Sequence, residues 1–170
     1  MIVRLAFFSA ALFLIPVAGA SADPSSYLAR FTGSFSGSGS VLRDVDPSPR
    51  SVSCRLSGRS ASTSALSIAG SCRAAVIFTR QIGADISLDA GTGVFSGVYI
   101  GSETGPAQLS GGRLAGDTLT MTLTYARPTY GDRNATMTIV NSGTGQFTMT
   151  VTDEIQGRTV QTSQMTLSQG

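Results

Sequence analysis

Apolar and polar residues alternate with a period of two along most of the chain. The clearest stretch sets Leu119, Met121, Leu123 and Tyr125 between Thr118, Thr120, Thr122 and Thr124. Successive side chains of a strand point to opposite faces, so this spacing predicts one face against a core and one hydroxyl-rich face in water. The same rule sets Ala135, Met137 and Ile139 against Thr136 and Thr138, and Phe147, Met149 and Val151 against Thr148, Thr150 and Thr152. Ile82, Ala84, Ile86 and Leu88 share a face, and Val94 to Ile100 is an apolar segment bounded by glycines. No segment past the apolar N-terminal run carries the spacing of an amphipathic helix.

Turn chemistry separates these segments. Asp46-Pro47-Ser48-Pro49, Asp89-Ala90-Gly91-Thr92-Gly93, Gly116-Asp117, Tyr130-Gly131-Asp132 and Asn141-Ser142-Gly143 all combine residues that favour tight turns. Their recurrence predicts hairpins between sequential strands, about eight to ten in all, and hence a small antiparallel up-and-down barrel, with a β-sandwich as the alternative. Closure into a barrel is preferred because it removes exposed sheet edges. Three strand entries echo one another: Thr32-Gly33-Ser34-Phe35, Thr92-Gly93-Val94-Phe95 and Thr144-Gly145-Gln146-Phe147. In the last segment Val160 is out of parity with Met165 and Leu167, which predicts a bulge near Thr162 and Ser163.

The segment Phe95-Ser96-Gly97-Val98-Tyr99 resembles a strand common to avidin-like and lipocalin-like proteins, a likeness that spans only these few residues and implies a soluble, calycin-like barrel. An outer-membrane barrel would need an apolar band facing lipid, and aromatic girdles. The threonine-rich faces and the 7% aromatic content argue against that arrangement.

The N-terminus changes where such a barrel is expected to work. Arg4 precedes an uncharged apolar run from Leu5 to Val17, followed by the small-residue sites Ala18-Gly19-Ala20 and Ala20-Ser21-Ala22. This is the pattern of a cleaved secretory leader over residues 1–22, with cleavage after Ala22, leaving residues 23–170 as a single all-β domain. The run is shorter than the ~20 residues of a spanning helix, so no membrane span is expected in the mature chain. A periplasmic or secreted destination favours a disulfide between Cys54 and Cys72. The two share the inward parity of adjacent segments that fold into a hairpin about Ser62 and Thr63. Opposed strand positions lie about 4.5–5.5 Å apart, within reach of a disulfide.

Charge points to no particular partner. All twelve basic residues are arginine, ten residues are acidic, and the net charge is +2. The arginines are scattered and there is no Trp, which excludes the clustered basic and aromatic pattern of a nucleic-acid binder. With no His or Lys and both thiols paired, imidazole and Ser-Lys catalysis and thiolate or imidazole zinc sites are excluded, and no cofactor is implied.

Carboxylate, hydroxyl and guanidinium chemistry remains. Asp44 with Asp46 and Asp153 with Glu154 are the nearest acid pairs, read first as solvated turn acids. A calcium site on Asp44 and Asp46 lacks the glycine and distal Glu of an EF-hand loop. The loop from Tyr125 to Arg133 gathers Tyr125, Arg127, Tyr130 and Arg133, a set able to hold an anionic or sugar-like ligand by bidentate bonding and stacking, or else a solvated hairpin. Arg80 is the fifth candidate, since parity with Val76, Phe78 and Ile82 turns it inward unless a bulge or strand end near Thr79 and Arg80 returns it to solvent. Three readings follow. The first is an exported non-enzymatic barrel that binds a small molecule or envelope component; the second is a structural or interaction protein of the envelope. The third is an enzyme using carboxylate or Tyr and Arg, which requires an acid to converge with Tyr125, Tyr130 or Arg80 in one cleft.

Overall fold

The computed structural model describes residues 23–75 and 78–170; the expected leader, its cleavage sites and Val76 lie outside the described residues. The strands are β1 (Gly33–Val41), β2 (Arg50–Ser62), β3 (Ala65–Ala74), β4 (Phe78–Asp89), β5 (Val94–Ile100), β6 (Ala107–Ala115), β7 (Thr118–Thr129), β8 (Asp132–Asn141), β9 (Gln146–Ile155) and β10 (Arg158–Gln169). Each pairs antiparallel with its chain neighbour, and β10 returns to β1 over Phe35↔Gln169 to Val41↔Ser163. The result is a closed up-and-down barrel and not a sandwich.

Alternation settles which face is inside. Leu119, Met121, Leu123 and Tyr125 of β7 are buried, while Thr120 and Thr122 between them are exposed. An apolar interior and a polar exterior are the reverse of a lipid-facing barrel, and no helix among the described residues is long and apolar enough to cross a membrane. The three glycine entries behave alike: Gly33, Gly93 and Gly145 take φ of 126°, 67° and 77°, and the Phe two residues later is buried each time. A side chain would strain that backbone turn, whereas Gly enters it freely.

Cys54 and Cys72 are directly opposed across β2 and β3, with Cα atoms 4.0 Å apart and the disulfide formed. Both sulfurs lie against the thioether of Met165, at 3.3 Å from Cys54 Sγ and 3.7 Å from Cys72 Sγ. No thiol hydrogen remains, so this is packing of sulfur on sulfur and not hydrogen bonding. In β10 the register shifts between Gln161 and Ser163, where the parity break placed the bulge.

The all-β barrel also carries a short helix, α1 (Pro24–Ala29), which the periodicity of the sequence does not register. Its six residues are too few for a helical period to register, and a helix this short is stable only through its packing. Local chemistry still starts it: Asp23 caps the helix by accepting from Ser26 N at 2.8 Å, and Pro24 occupies the first turn. Tyr27, Leu28 and the following Phe31 are fully buried. Phe31 stacks edge-on between Tyr27 and Phe147, at centroid distances of 5.3 and 5.1 Å, and Phe35 joins Phe147 at 5.1 Å.

Two polar anchors hold α1 in the barrel end. The Tyr27 hydroxyl donates to Ile139 O at 2.9 Å, which satisfies a buried phenol. The Arg30 guanidinium donates to Asp117 Oδ1 and to Asn141 O, both at 2.6 Å, and lies 5.6 Å from the Tyr27 ring centre. The start of β7 and the end of β8 are thereby stapled to the N-terminal segment, and the Phe31–Phe147 contact adds the start of β9, closing this end.

Phe31→Ala is expected to cost about 3–5 kcal/mol, the usual range for a buried aromatic, measured as a lower urea midpoint. An unchanged midpoint would show that α1 is not part of the core. Replacing both cysteines by Ala is expected to remove ~3 kcal/mol by the same measurement.

Candidate functional site

Among the described residues, the opposite end of the barrel is open. The β1–β2, β5–β6, β7–β8 and β9–β10 connections gather there, around a cavity of about 420 Å³. Its wall is apolar where the strands supply it, with Val52, Ile82, Leu123, Val151 and Met165 joined by Cys72 of the disulfide. Its rim is polar, with Arg43, Asp44, Arg50, Arg80, Glu103 and Tyr130. Small-molecule sites commonly have ~300–1,000 Å³, an apolar lining and a few polar groups.

The connection from Leu42 to Pro49 forms a strap at this mouth. Leu42 N donates to Thr162 O at 2.7 Å, and Leu42 O accepts the Tyr130 hydroxyl. Arg43 forks onto Asp46 with two bonds of 2.6 Å, and Arg50 adds a third at 2.6 Å. Arg43 also reaches Glu103 at 3.3 Å, and Arg80 Nη1 lies 3.7 Å from the same carboxylate. The Arg43 fork, with Arg50 beside it, holds the Asp46 carboxyl down to about 2. Both Asp46 oxygens are spent on guanidinium groups, which leaves no calcium ligand on this residue.

Asp153 is the acid that the linear pattern hides. It continues the inward row Phe147, Met149 and Val151 of β9 and is only 2% exposed, while Glu154 turns outward to Thr159. The bulge in β10 sets Thr162 inward, where its hydroxyl donates to Asp153 Oδ2. Tyr125 donates to the same oxygen at 3.3 Å. Oδ1 has no hydrogen-bond partner among the described residues. Burial raises the Asp153 carboxyl above its ordinary value, against the opposing pull of the Thr162 and Tyr125 hydroxyls. Burial likewise raises Tyr125, and the neighbouring Asp153 charge adds to that shift.

The five ligand candidates separate. Arg80, Tyr125 and Tyr130 line the cavity, whereas Arg127 and Arg133 do not. The register between β7 and β8 slips between Thr124 and Thr129, so parity from Tyr125 does not carry to Arg127, which is exposed. Arg133 instead donates from Nε to Tyr125 O at 2.8 Å, within the stretch where the register slips. Tyr130 sits at φ 58° beside Gly131 in the two-residue turn, a conformation costly for a bulky residue and held by the bond to Leu42 O.

Arg80 keeps its inward parity, because β3 and β4 pair without a register shift and Arg80 faces Cys72. It sits at the mouth, half exposed, with Nη2 donating to Ser102 O at 2.5 Å. Tyr99, which lines the cavity, and Asp153, buried behind the lining, are the groups that the ligand candidates left out. Each lies on an inward row already visible in the alternation, Phe147 to Asp153 and Phe95 to Tyr99, and extending those rows would have found both.

Asp153 gives a pH test. A folded-state value above the ordinary 3.8 means that below pH ~4 both states hold the proton and the group costs nothing. Above it, ionisation favours the unfolded chain until the folded value is passed. Asp153→Asn is therefore expected to gain in Tm relative to the parent as pH rises from about 4 to 7. Parallel profiles over that range would show that the carboxyl is not perturbed.

No family model matches the chain, and neither does any curated protein. Among solved structures, the crystal structure of Rv2717c from M. tuberculosis is similar in fold, with a TM-score of 0.62 and 12% identity over 89% of this chain and 99% of that one. At that identity the likeness speaks for the barrel alone.

Proposed function

We propose that the chain is an exported, non-enzymatic β-barrel that binds a small molecule in its mouth cavity. The observation that carries this reading is the asymmetry of the two ends. The same closed wall is packed solid by Tyr27, Leu28 and Phe31 at one end, and opens onto about 420 Å³ of mostly apolar space at the other. A purely structural module gains nothing from leaving apolar wall uncovered, whereas a binding protein needs that space. Export draws support from the leader pattern over residues 1–22 and from the Cys54–Cys72 disulfide, which persists in oxidising compartments.

One observation favours an enzyme as the second reading. Asp153 and Tyr125 do converge, at 3.3 Å, beside the cavity. The convergence does not extend to the open space: Asp153 is behind the lining, and the Tyr125 and Thr162 hydroxyls both point their protons at it. The trio serves better as a polar wedge that fixes the wall than as an acid delivered to a substrate.

Titration of residues 23–170 with the neutral fluorophore N-phenyl-1-naphthylamine is expected to show saturable one-to-one enhancement. Ala74→Trp, which fills the mouth from β3, should abolish it while the far-ultraviolet spectrum is unchanged. Enhancement that survives Ala74→Trp would place the dye elsewhere and remove the support for a mouth site. For export, the full chain expressed in a Gram-negative host is expected in the periplasmic fraction with Asp23 as its first residue; an intact Met1 in the cytoplasm would end that part of the proposal.

A further inference from the structure

Resting on the small-molecule reading of the mouth, we propose that the ligand is an amphipathic organic anion. Its acidic head lies between the Arg80 guanidinium and the Tyr99 hydroxyl, and its apolar body covers Ile82, Leu123, Val151 and Met165. The argument turns on which polar groups of the lining still have bonds to give.

Most of them do not. Tyr125 and Thr162 spend their hydroxyl protons on Asp153, Tyr130 spends its own on Leu42 O, and Arg43 is forked onto Asp46 and bonded to Glu103. Arg80 differs. A guanidinium has five N–H donors in a planar fork, and here one nitrogen meets Ser102 O while the other terminal nitrogen stays 3.7 Å from Glu103, beyond hydrogen-bond length. Strand register fixes its backbone opposite Cys72, a residue of the cavity wall, so the remaining donors are presented at the top of the apolar cup.

Tyr99 supplies the second donor. It lines the cavity at 6% exposure, and no described residue hydrogen-bonds its hydroxyl. Its ring lies so close to Gly101 that a Cβ there would sit 2.1 Å from the hydroxyl oxygen, which ties the ring position to glycine at that site. Burial pushes the phenol up to about 12, with the Arg80 charge pulling the other way, so it keeps its proton at neutral pH and donates. A guanidinium with donors to spare and a hydroxyl that no described residue bonds, above apolar side chains, match a carboxylate or similar head with a hydrocarbon or aromatic body. The head competes with Glu103 for the Arg80 charge. Asp44 is a lining carboxylate outside the salt bridges of the rim; it sits on the strap and offers the opposite preference, which the test includes.

The probes are decanoate, decan-1-ol and decylammonium, which share a tail and differ in head charge, titrated below their aggregation limits into residues 23–170 by calorimetry. Decanoate is expected to bind roughly tenfold tighter than decan-1-ol. Arg80→Gln and Tyr99→Phe should each weaken decanoate by about three- to tenfold and leave decan-1-ol within about twofold. Tightest binding of decylammonium, with loss on Asp44→Asn, would overturn the proposal in favour of a cation site. Equal binding of all three, indifferent to Arg80→Gln, would overturn it too while the small-molecule reading stands. Absence of binding by these probes alone defeats the anion site, and absence of binding by N-phenyl-1-naphthylamine as well defeats both.

Discussion

Pairing of β1 with β10 is the contact on which the rest of the molecule depends. Seven opposed residue pairs close the wall, after which no strand edge is left and the enclosed volume is set by strand number and tilt. A closed apolar wall has to be covered somewhere, by side chains, by another segment or by a ligand. Phe35 sits at the foot of β1, so the strand that closes the barrel also carries one wall of the aromatic cluster under α1. Closure and plugging therefore reinforce each other at one end and leave the other end to be occupied differently.

Costly features collect at that second end. The turn Tyr130-Gly131 holds a tyrosine at φ 58°, β10 carries its bulge at Thr162, and β7 slips against β8 beyond Thr124. Asp153 is buried with one oxygen unpartnered among the described residues, and Phe78 stands 61% exposed on the rim. At the plugged end the buried polar groups described above are bonded: Tyr27 to Ile139, Asn141 to Gly143 N and Arg30 O. Register shifts also occur toward the plugged end, at Ser60/Ser62 and Phe95/Gly97, but the non-glycine residues at positive φ among the described residues, Ala75, Tyr130 and Gln156, all lie in mouth-side connections, so backbone strain is concentrated at that rim.

How much of this was readable follows from range. Strand alternation, turns, the disulfide parity and the bulge near Thr162 are local patterns, and each was legible because a period of two is visible within a few residues. α1 was not, since what stabilises it is the stack of Phe31 on Phe147, a contact over a hundred residues apart in the chain. Arg127 and Arg133 could not be parted from Tyr125 and Tyr130, because the separation depends on a register slip that only the paired strand reveals. Asp153 was obscured by its neighbour: beside Glu154 it read as half of a turn pair, although its parity with Val151 already assigned it to the interior.

The disulfide shows how the two ends are reconciled. A cavity wall must be stiff without being thick, because bulky side chains that would rigidify it also fill the space. Cys54 is buried on Met165, while its partner Cys72 faces the cavity, so one covalent bond ties β2 to β3 where two large apolar residues would otherwise be needed. Met165 completes the arrangement: it covers the sulfurs from β10 and presents its remaining surface to the open space. The wall below the mouth thus keeps its shape through a crosslink and a flexible thioether, and the room they leave is the room a ligand would use.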